Sequence, residues 1–374
     1  MSSTLDEHIE YLTLPGRSDL YRKAIAQVIK SGDVVADLGC GVGVLGLFAL
    51  EAGAGEVIGI DSSNAIHLAK ESMERAGYGD RYRSHADSTY RIEFDERVDA
   101  IICDHVGYFG FDYGIIAMLR DAAERLLKPG GTVMPRALDL SVAGVMSDRC
   151  RDRVQAWANE DIPEAFRWLD DASRNVRYSF NLEPDDLISP SAPLGRVPLG
   201  VEGPELYSFA AEIIVDRDGR FDGVAGWFDA ELADDVRMTN SPIDPASITR
   251  SQAFLPAREP FEVAAGETVH VTIKFRTDVS LISWTIRPPG GAPVQKMSTW
   301  KSKILTPADF ATQSNAPLQL SRTGEARAYV LSLVDGTRSA EEILATVMRD
   351  RPDLLPSEQT IADFVRAVIG NECQ

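Results

Sequence analysis

Cysteine is scarce in this sequence, and its four residues, Cys40, Cys103, Cys150 and Cys373, stand far apart with no Cys-x-x-Cys pair. That spacing excludes a zinc knuckle or a disulfide-stapled scaffold and fits a reducing cytoplasm. Histidine is equally thin: His8, His67, His85, His105 and His270 show neither clustering nor the helical pair spacing of a metal site, so no metal is expected. Basic charge is in deficit, with 38 lysines and arginines against 57 aspartates and glutamates and a net charge of -19. A field of that sign repels phosphate backbones, so nucleic acid is not an expected partner. Long uncharged apolar runs are missing, and Met1 to Glu10 is polar and acidic rather than signal-like. Neither a membrane span nor export is expected, and the cytoplasm is the expected location. Internal repeats and low-complexity tracts are also lacking. What remains is ordinary globular material, 374 residues with 44% apolar and 25% charged side chains, enough for two or more folded units.

From Val34 to Pro135 short apolar runs alternate with helical patterns, which predicts an α/β, Rossmann-like doubly wound sheet. Strands are expected at Val34 to Leu38, Glu56 to Ile60, Val98 to Cys103 and Thr132 to Met134, with helices at Val44 to Ala52, Asn64 to Ala76 and Ile115 to Leu127. Beyond Pro135, alternation of period two at Leu138 to Val145, Tyr207 to Val215, Gly226 to Leu232 and Thr268 to Phe275 predicts an antiparallel β-barrel-like domain. Charged, helical-looking sequence and then a Pro/Ser/Gly-rich stretch predict an arm or long loop at about 148–205. Past Trp300 the β pattern stops and three short helices follow, with turns at Asp335-Gly336 and Arg351-Pro352 and Ser339 as a cap. The expected division is 1–137, 138–305 and 306–374.

The chemistry concentrates at Asp37-Leu38-Gly39-Cys40-Gly41-Val42-Gly43, directly after the first strand and opening a helix. Glycines there let backbone amides approach a ligand and the chain turn sharply. Asp61 lies 22 residues beyond Gly39 at the end of the second strand, where a carboxylate suits two ribose hydroxyls. With Gly46 the turn also partly fits a nicotinamide dinucleotide, and a structural glycine turn is the blander alternative. Asp37 separates them, because a carboxylate before the first glycine suits a cofactor with an ammonium group and no pyrophosphate, namely S-adenosylmethionine.

These residues, with Glu56-Val57-Ile58-Gly59-Ile60-Asp61, resemble class I methyltransferases, and within them the protein arginine methyltransferases. Arg17 with Tyr21, Asp104-His105-Val106-Gly107-Tyr108, Lys128-Pro129-Gly130-Gly131 with Pro135, and Gly226-Trp227-Phe228-Asp229 support the likeness, which runs from about Arg17 to about Phe275. The resemblance implies that Arg17 pairs with the cofactor's carboxylate and that Asp61, beside Ser62, binds ribose. It implies that Asp87 or Ser88 meets the adenine amino group, and that S-adenosylhomocysteine is the product.

At the acceptor side the pattern breaks. The family holds a guanidinium between two glutamates, and here the first position is Asp104 while the second is Tyr113, with Asp112 adjacent. The family's Thr-His-Trp loop reads Ile248-Thr249-Arg250 before Ser251-Gln252. A two-carboxylate clamp is therefore in doubt, and a hydroxyl, carboxylate or amine is an alternative acceptor. Asp104 or His105 is a candidate base or orienting group, and Tyr108 and Tyr113 are candidates to line the acceptor cavity. Leu331 to Val347 resembles the helical half of winged-helix domains that bind leader peptides (PqqD-like), although Asp335-Gly336 also makes an ordinary turn. The expected function is methyl transfer to a peptide or protein side chain in modified-peptide natural-product biosynthesis, by a chain that acts as a homodimer. A small-molecule acceptor and a catalytically silent regulatory subunit are the alternatives.

Overall fold

The computed structural model describes residues 4–277, 281–303, 320, 322–354 and 357–373. They form two compact units, 1–303 and 304–374.

In the larger unit two helices lead in, α1 (Thr4–Thr13) and α2 (Arg17–Val28). The buried residues of α2 are Arg17, Tyr21, Ala24 and Ile25, a one-sided stripe of helical period that places Arg17 and Tyr21 one turn apart. There follow β1 (Val34–Leu38), α3 (Val44–Glu51), β2 (Glu56–Ile60), α4 (Ala65–Arg75), β3 (Tyr82–His85), β4 (Val98–Cys103), α5 (Ile115–Leu126) and β5 (Leu127–Met134). The strands make a parallel sheet in the order β3-β2-β1-β4-β5. Its chain order reverses between β1 and β4, and ligands of such sheets sit at that switch point, beyond the strands' carboxyl ends. Asp37, Asp61 and Asp104 lie in or just after the three adjacent strands β1, β2 and β4.

The antiparallel part begins with β6 (Ala137–Val145), α6 (Asp148–Val154), α7 (Leu169–Ser173), β7 (Tyr178–Phe180), β8 (Ala192–Pro198) and β9 (Leu206–Ile214). It continues with β10 (Gly219–Ala233), β11 (Val236–Thr239), β12 (Gln252–Val263), β13 (Thr268–Arg276), β14 (Ile282–Arg287) and β15 (Gln295–Ser298). One sheet runs β7-β12-β10-β6-β8 with β11 on β10, and the other runs β15-β14-β13-β9. A single apolar cluster runs from Tyr21 through Ile102 and Phe228 to Trp284, so the segments expected as 1–137 and 138–305 share one core.

The expected arm at 148–205 differs in part. Residues 148–173 hold two short helices, α6 and α7, joined by single helical turns, and 192–198 is not loop but strand β8. Pro193 and Pro198 sit in that strand because β8 is the sheet's edge, where a missing N–H breaks no ladder.

The smaller unit holds α8 (Arg322–Ser332), α9 (Ala340–Asp350) and α10 (Glu358–Glu372) around Ala326, Val330, Ile343, Val347, Ile361 and Val365. Ser339 caps α9, its Oγ accepting from the Glu342 N–H at 3.3 Å while Glu342 Oε2 accepts from the Ser339 N–H at 2.8 Å. No helix among the described residues is long and apolar enough to cross a membrane.

Candidate active site

A cavity of about 810 Å³ opens beyond the carboxyl ends of β1, β2 and β4. That is ample for a nucleoside-sized ligand together with part of a second reactant. Its wall carries Arg17, Asp37, Gly39, Gly41, Asp61, Asp104, His105 and Tyr113 among the residues expected from the sequence.

The glycine turn owes its shape to close approach. A Cβ on Gly39 would lie 2.3 Å from His105 Nε2, and one on Gly41, whose φ is +54°, would lie 2.6 Å from His8 Nε2. Two imidazoles therefore flank the turn, and with Gly39 at φ +63° and Gly41 at φ +54° a side chain at either position is strained. Asp61 fixes the turn from the other side: Oδ2 accepts from the Gly41 N–H at 2.8 Å and Oδ1 from the Ser63 N–H at 2.8 Å. Each oxygen retains a lone pair for a hydroxyl donor.

Asp37 is buried, and its Oδ2 accepts from the Gly46 N–H at 2.8 Å. Burial pushes its carboxyl up to about 7, against the opposing pull of the Gly46 N–H and the Arg17 charge. A buried acid on the edge of ionisation, lining a cavity, is matched by a cation placed beside it. The ammonium group of S-adenosylmethionine fits that requirement, and a pyrophosphate does not.

The third carboxylate, Asp104, is enclosed. Its Oδ2 accepts from Arg17 Nε at 2.5 Å, its Oδ1 from the Tyr21 hydroxyl at 2.9 Å, and Arg250 Nη2 stands 3.7 Å from Oδ2. Burial works to raise its pKa, but Arg17 first and Arg250 next outweigh it and hold the carboxyl below its usual range. Asp104 is thus an ionised partner of arginines and a weak base. His105 is shifted down by burial, with Asp104 and Asp61 pulling the other way, and so stays neutral near pH 7.

The loop from Asp104 to Tyr113 is seated by packing and by backbone bonds. Phe109 is fully buried against Gly226, where a Cβ would come within 2.4 Å of its ring. The Asn240 amide donates to the Tyr108 carbonyl at 2.8 Å and to the Ser251 carbonyl at 2.8 Å, tying the loop to the segment before β12. Asp112 accepts from the Tyr108 and Phe109 N–H groups at 2.7 and 2.5 Å and pairs with Arg177. Tyr113 is half exposed and meets Tyr108 edge to face at 6.2 Å between ring centres.

Several residues singled out in the sequence lie elsewhere. Gly43 does not face the cavity, since a Cβ there would meet the Ala69 and Met73 side chains at 3.0 Å, and its φ of +84° suits glycine at the start of α3. Ser62 is exposed outside the wall, and Ser63 stands there in its place. Asp87 pairs with Arg91 and caps the Ser88 N–H at 2.6 Å, so neither Asp87 nor Ser88 reaches the wall. Tyr108 is not part of the wall, although its ring centre is 6.2 Å from that of Tyr113, which is. Arg17, expected toward the cofactor, bonds Asp104 and, through Nη1, the Tyr11 carbonyl at 3.3 Å. Missed altogether were His8, Tyr11 and the inward position of Arg250; only Arg250 left a sequence signal, as a departure from the Thr-His-Trp pattern.

Residues 35–131 match the family model described as a methyltransferase domain. In sequence the chain is 34% identical over 155 residues to the probable protein arginine N-methyltransferase 6 of Arabidopsis thaliana, covering 41% of this chain and 36% of that protein. It is 31% identical over 153 residues to protein arginine N-methyltransferase 6 of Danio rerio, covering 40% of this chain and 44% of that protein. The match thus spans less than half the length of these curated relatives. Among solved structures, the PRMT1 enzyme-prozyme heterotetrameric complex of Trypanosoma brucei with AdoHcy superposes with a TM-score of 0.70 at 23% identity, over 78% of this chain and 97% of that one. Protein arginine methyltransferase 10 of Arabidopsis thaliana gives 0.65 at 19% identity, over 79% and 98%. The chain therefore carries a class I S-adenosylmethionine-dependent methyltransferase domain and resembles the protein arginine methyltransferases in sequence and fold.

Proposed function

We propose that this chain transfers a methyl group from S-adenosylmethionine to a side chain of a protein or peptide. The observation that carries the reading is one cavity whose wall holds a buried acid at Asp37, a ribose-type carboxylate at Asp61 and the Asp104–Tyr113 loop. Arg17, Asp37 and Asp61 would hold the cofactor, which supplies an electrophilic methyl group on a sulfonium. The protein's part is to exclude water and aim the acceptor, since in-line displacement depends on approach and desolvation.

Arginine is the second reading, favoured by the names of the relatives. The loop departs from it, because Tyr113 brings no charge, Asp112 is committed to Arg177 and two backbone N–H groups, and Asp104 is committed to Arg17. Losing one charge-assisted partner costs about 2–3 kcal/mol, or about 30- to 150-fold in rate. Labelled cofactor offered with a cell extract and with arginine-rich peptides tests both readings. We expect S-adenosylhomocysteine and labelled protein from the extract and slow labelling of the peptides. Robust arginine labelling would establish the second reading, and no turnover with any acceptor would leave a silent, regulatory subunit. The same assay on a chain ending at residue 303 tests the tail as a recruiter of peptide: labelling of the true substrate should fall, and equal labelling would rule recruitment out.

A further inference from the structure

We propose that Arg250 anchors an anionic acceptor, a carboxylate on a protein or peptide, so that the product is a methyl ester. This inference rests on the methyltransferase reading above and names its acceptor.

Arg250 is held in place by its own backbone. Its N–H donates to the Ile248 carbonyl at 2.8 Å, and its carbonyl accepts from Gln252 Nε2 at 2.9 Å. Gln252 is buried and also donates to the Asn240 carbonyl at 2.6 Å, so the segment before β12 is a fixed platform. From it the Arg250 side chain, 9% exposed, reaches the cavity wall over the Tyr11 ring, 5.7 Å from the ring centre. Its Nη2 is buried and makes no hydrogen bond among the described residues, the Asp104 oxygen at 3.7 Å lying beyond hydrogen-bond reach.

Two buried guanidinium groups, Arg17 and Arg250, thus share Asp104, and Arg17 holds the shorter bond. A buried cation whose donor lacks an acceptor is costly, and an anion entering the cavity removes that cost. Guanidinium is a planar fork that matches a carboxylate, whereas an arginine or lysine acceptor would enter beside two like charges. The net charge of -19 does not decide the matter, because in physiological salt it is screened beyond about 8 Å.

A carboxylate also suits a site whose neighbouring Asp104 is tied to Arg17 and Tyr21 and is a weak base, since it has no proton to give up. A lone pair on its oxygen forms the O–C bond to the methyl carbon as the C–S bond breaks, and that bonding pair stays on sulfur. The carboxylate and the sulfonium become a neutral ester and a neutral thioether, and no proton moves.

The test offers tritiated S-adenosylmethionine with a pool of acetylated, amidated hexapeptides bearing one Asp or Glu, and with a matched Asn or Gln pool. Label should enter the acidic pool alone and leave as volatile methanol in mild base. Arg250→Met and Arg250→Gln should lose about 30-fold or more in kcat/KM, and Arg250→Lys should recover part of it. S-adenosylhomocysteine affinity in these variants should stay within about threefold of wild type, less than one pKa unit's worth of energy, with melting unchanged. Base-stable label, equal labelling of both pools, or cofactor affinity falling in step with activity would overturn the assignment, the last by giving Arg250 to the cofactor. Cofactor binding with no labelling of the acidic pool would overturn the carboxylate alone. Failure of the wild type to bind S-adenosylhomocysteine would remove the methyltransferase reading beneath it.

Discussion

Asp37 is the residue whose chemistry reaches furthest, because it both bonds the Gly46 N–H and borders the cavity. Its carboxyl is pushed up to about 7 by burial. An Asp in the unfolded chain ionises near the ordinary value of about 4. Between those values the folded, unliganded protein holds a proton that the unfolded chain has lost, so Asp37 makes stability fall as pH rises through that window. A cationic ligand reverses the preference, since it binds the ionised carboxylate better. Affinity for S-adenosylhomocysteine should therefore rise from about pH 5.5 to about 7, by up to about tenfold per unit, and level off above. Calorimetry in buffers of different ionisation heat should show proton release on binding below pH 7, and Asp37→Asn should flatten the profile. A wild-type affinity independent of pH over that range would remove the ammonium from Asp37.

At the scale of elements, α1 forms one wall of the cavity through His8, Tyr11 and Leu12. The Tyr11 ring lies 5.9 Å from the Arg17 guanidinium and 5.7 Å from that of Arg250, so this helix touches both cations of the site. Deleting residues 1–13 should weaken S-adenosylhomocysteine binding about tenfold, the worth of roughly 1–2 kcal/mol of lost burial, while the core melts as before. Unchanged affinity would show that α1 adds nothing to cofactor binding. None of this was legible from Met1 to Glu10, whose acidic composition says nothing of where one histidine rests. The strands β1, β2 and β4 were legible, because each is a short apolar run bounded by turn residues. β8 was hidden by Pro193 and Pro198, which mark a loop unless the strand is known to be an edge. Asp61 and the glycine turn could be read as a pair because their spacing follows from one strand–helix–strand unit. The Asp104–Arg17–Arg250 cluster could not, since its members are far apart in sequence and come together only through β4, α2 and the segment before β12.

Over the whole molecule the acidic excess stays outside the site's logic, and what matters is where the charges are enclosed. Asp37 and Asp61 border the glycine turn, and Arg17 and Arg250 gather around Asp104. In the proposed reading the first group, together with Arg17, holds a cationic, ribose-bearing cofactor, and Arg250 is left to the acceptor. The central claim is that the turn and Asp61 bind this cofactor. Its most direct test is calorimetric titration of S-adenosylhomocysteine, and separately of NAD, into the wild type and Asp61→Ala, with melting curves to confirm folding. The wild type should bind S-adenosylhomocysteine and ignore NAD, and Asp61→Ala should lose about 2–4 kcal/mol of binding as the charge-assisted bonds to ribose and to the turn disappear. Near-normal affinity in the folded variant, or tight binding of NAD by the wild type, would contradict the account.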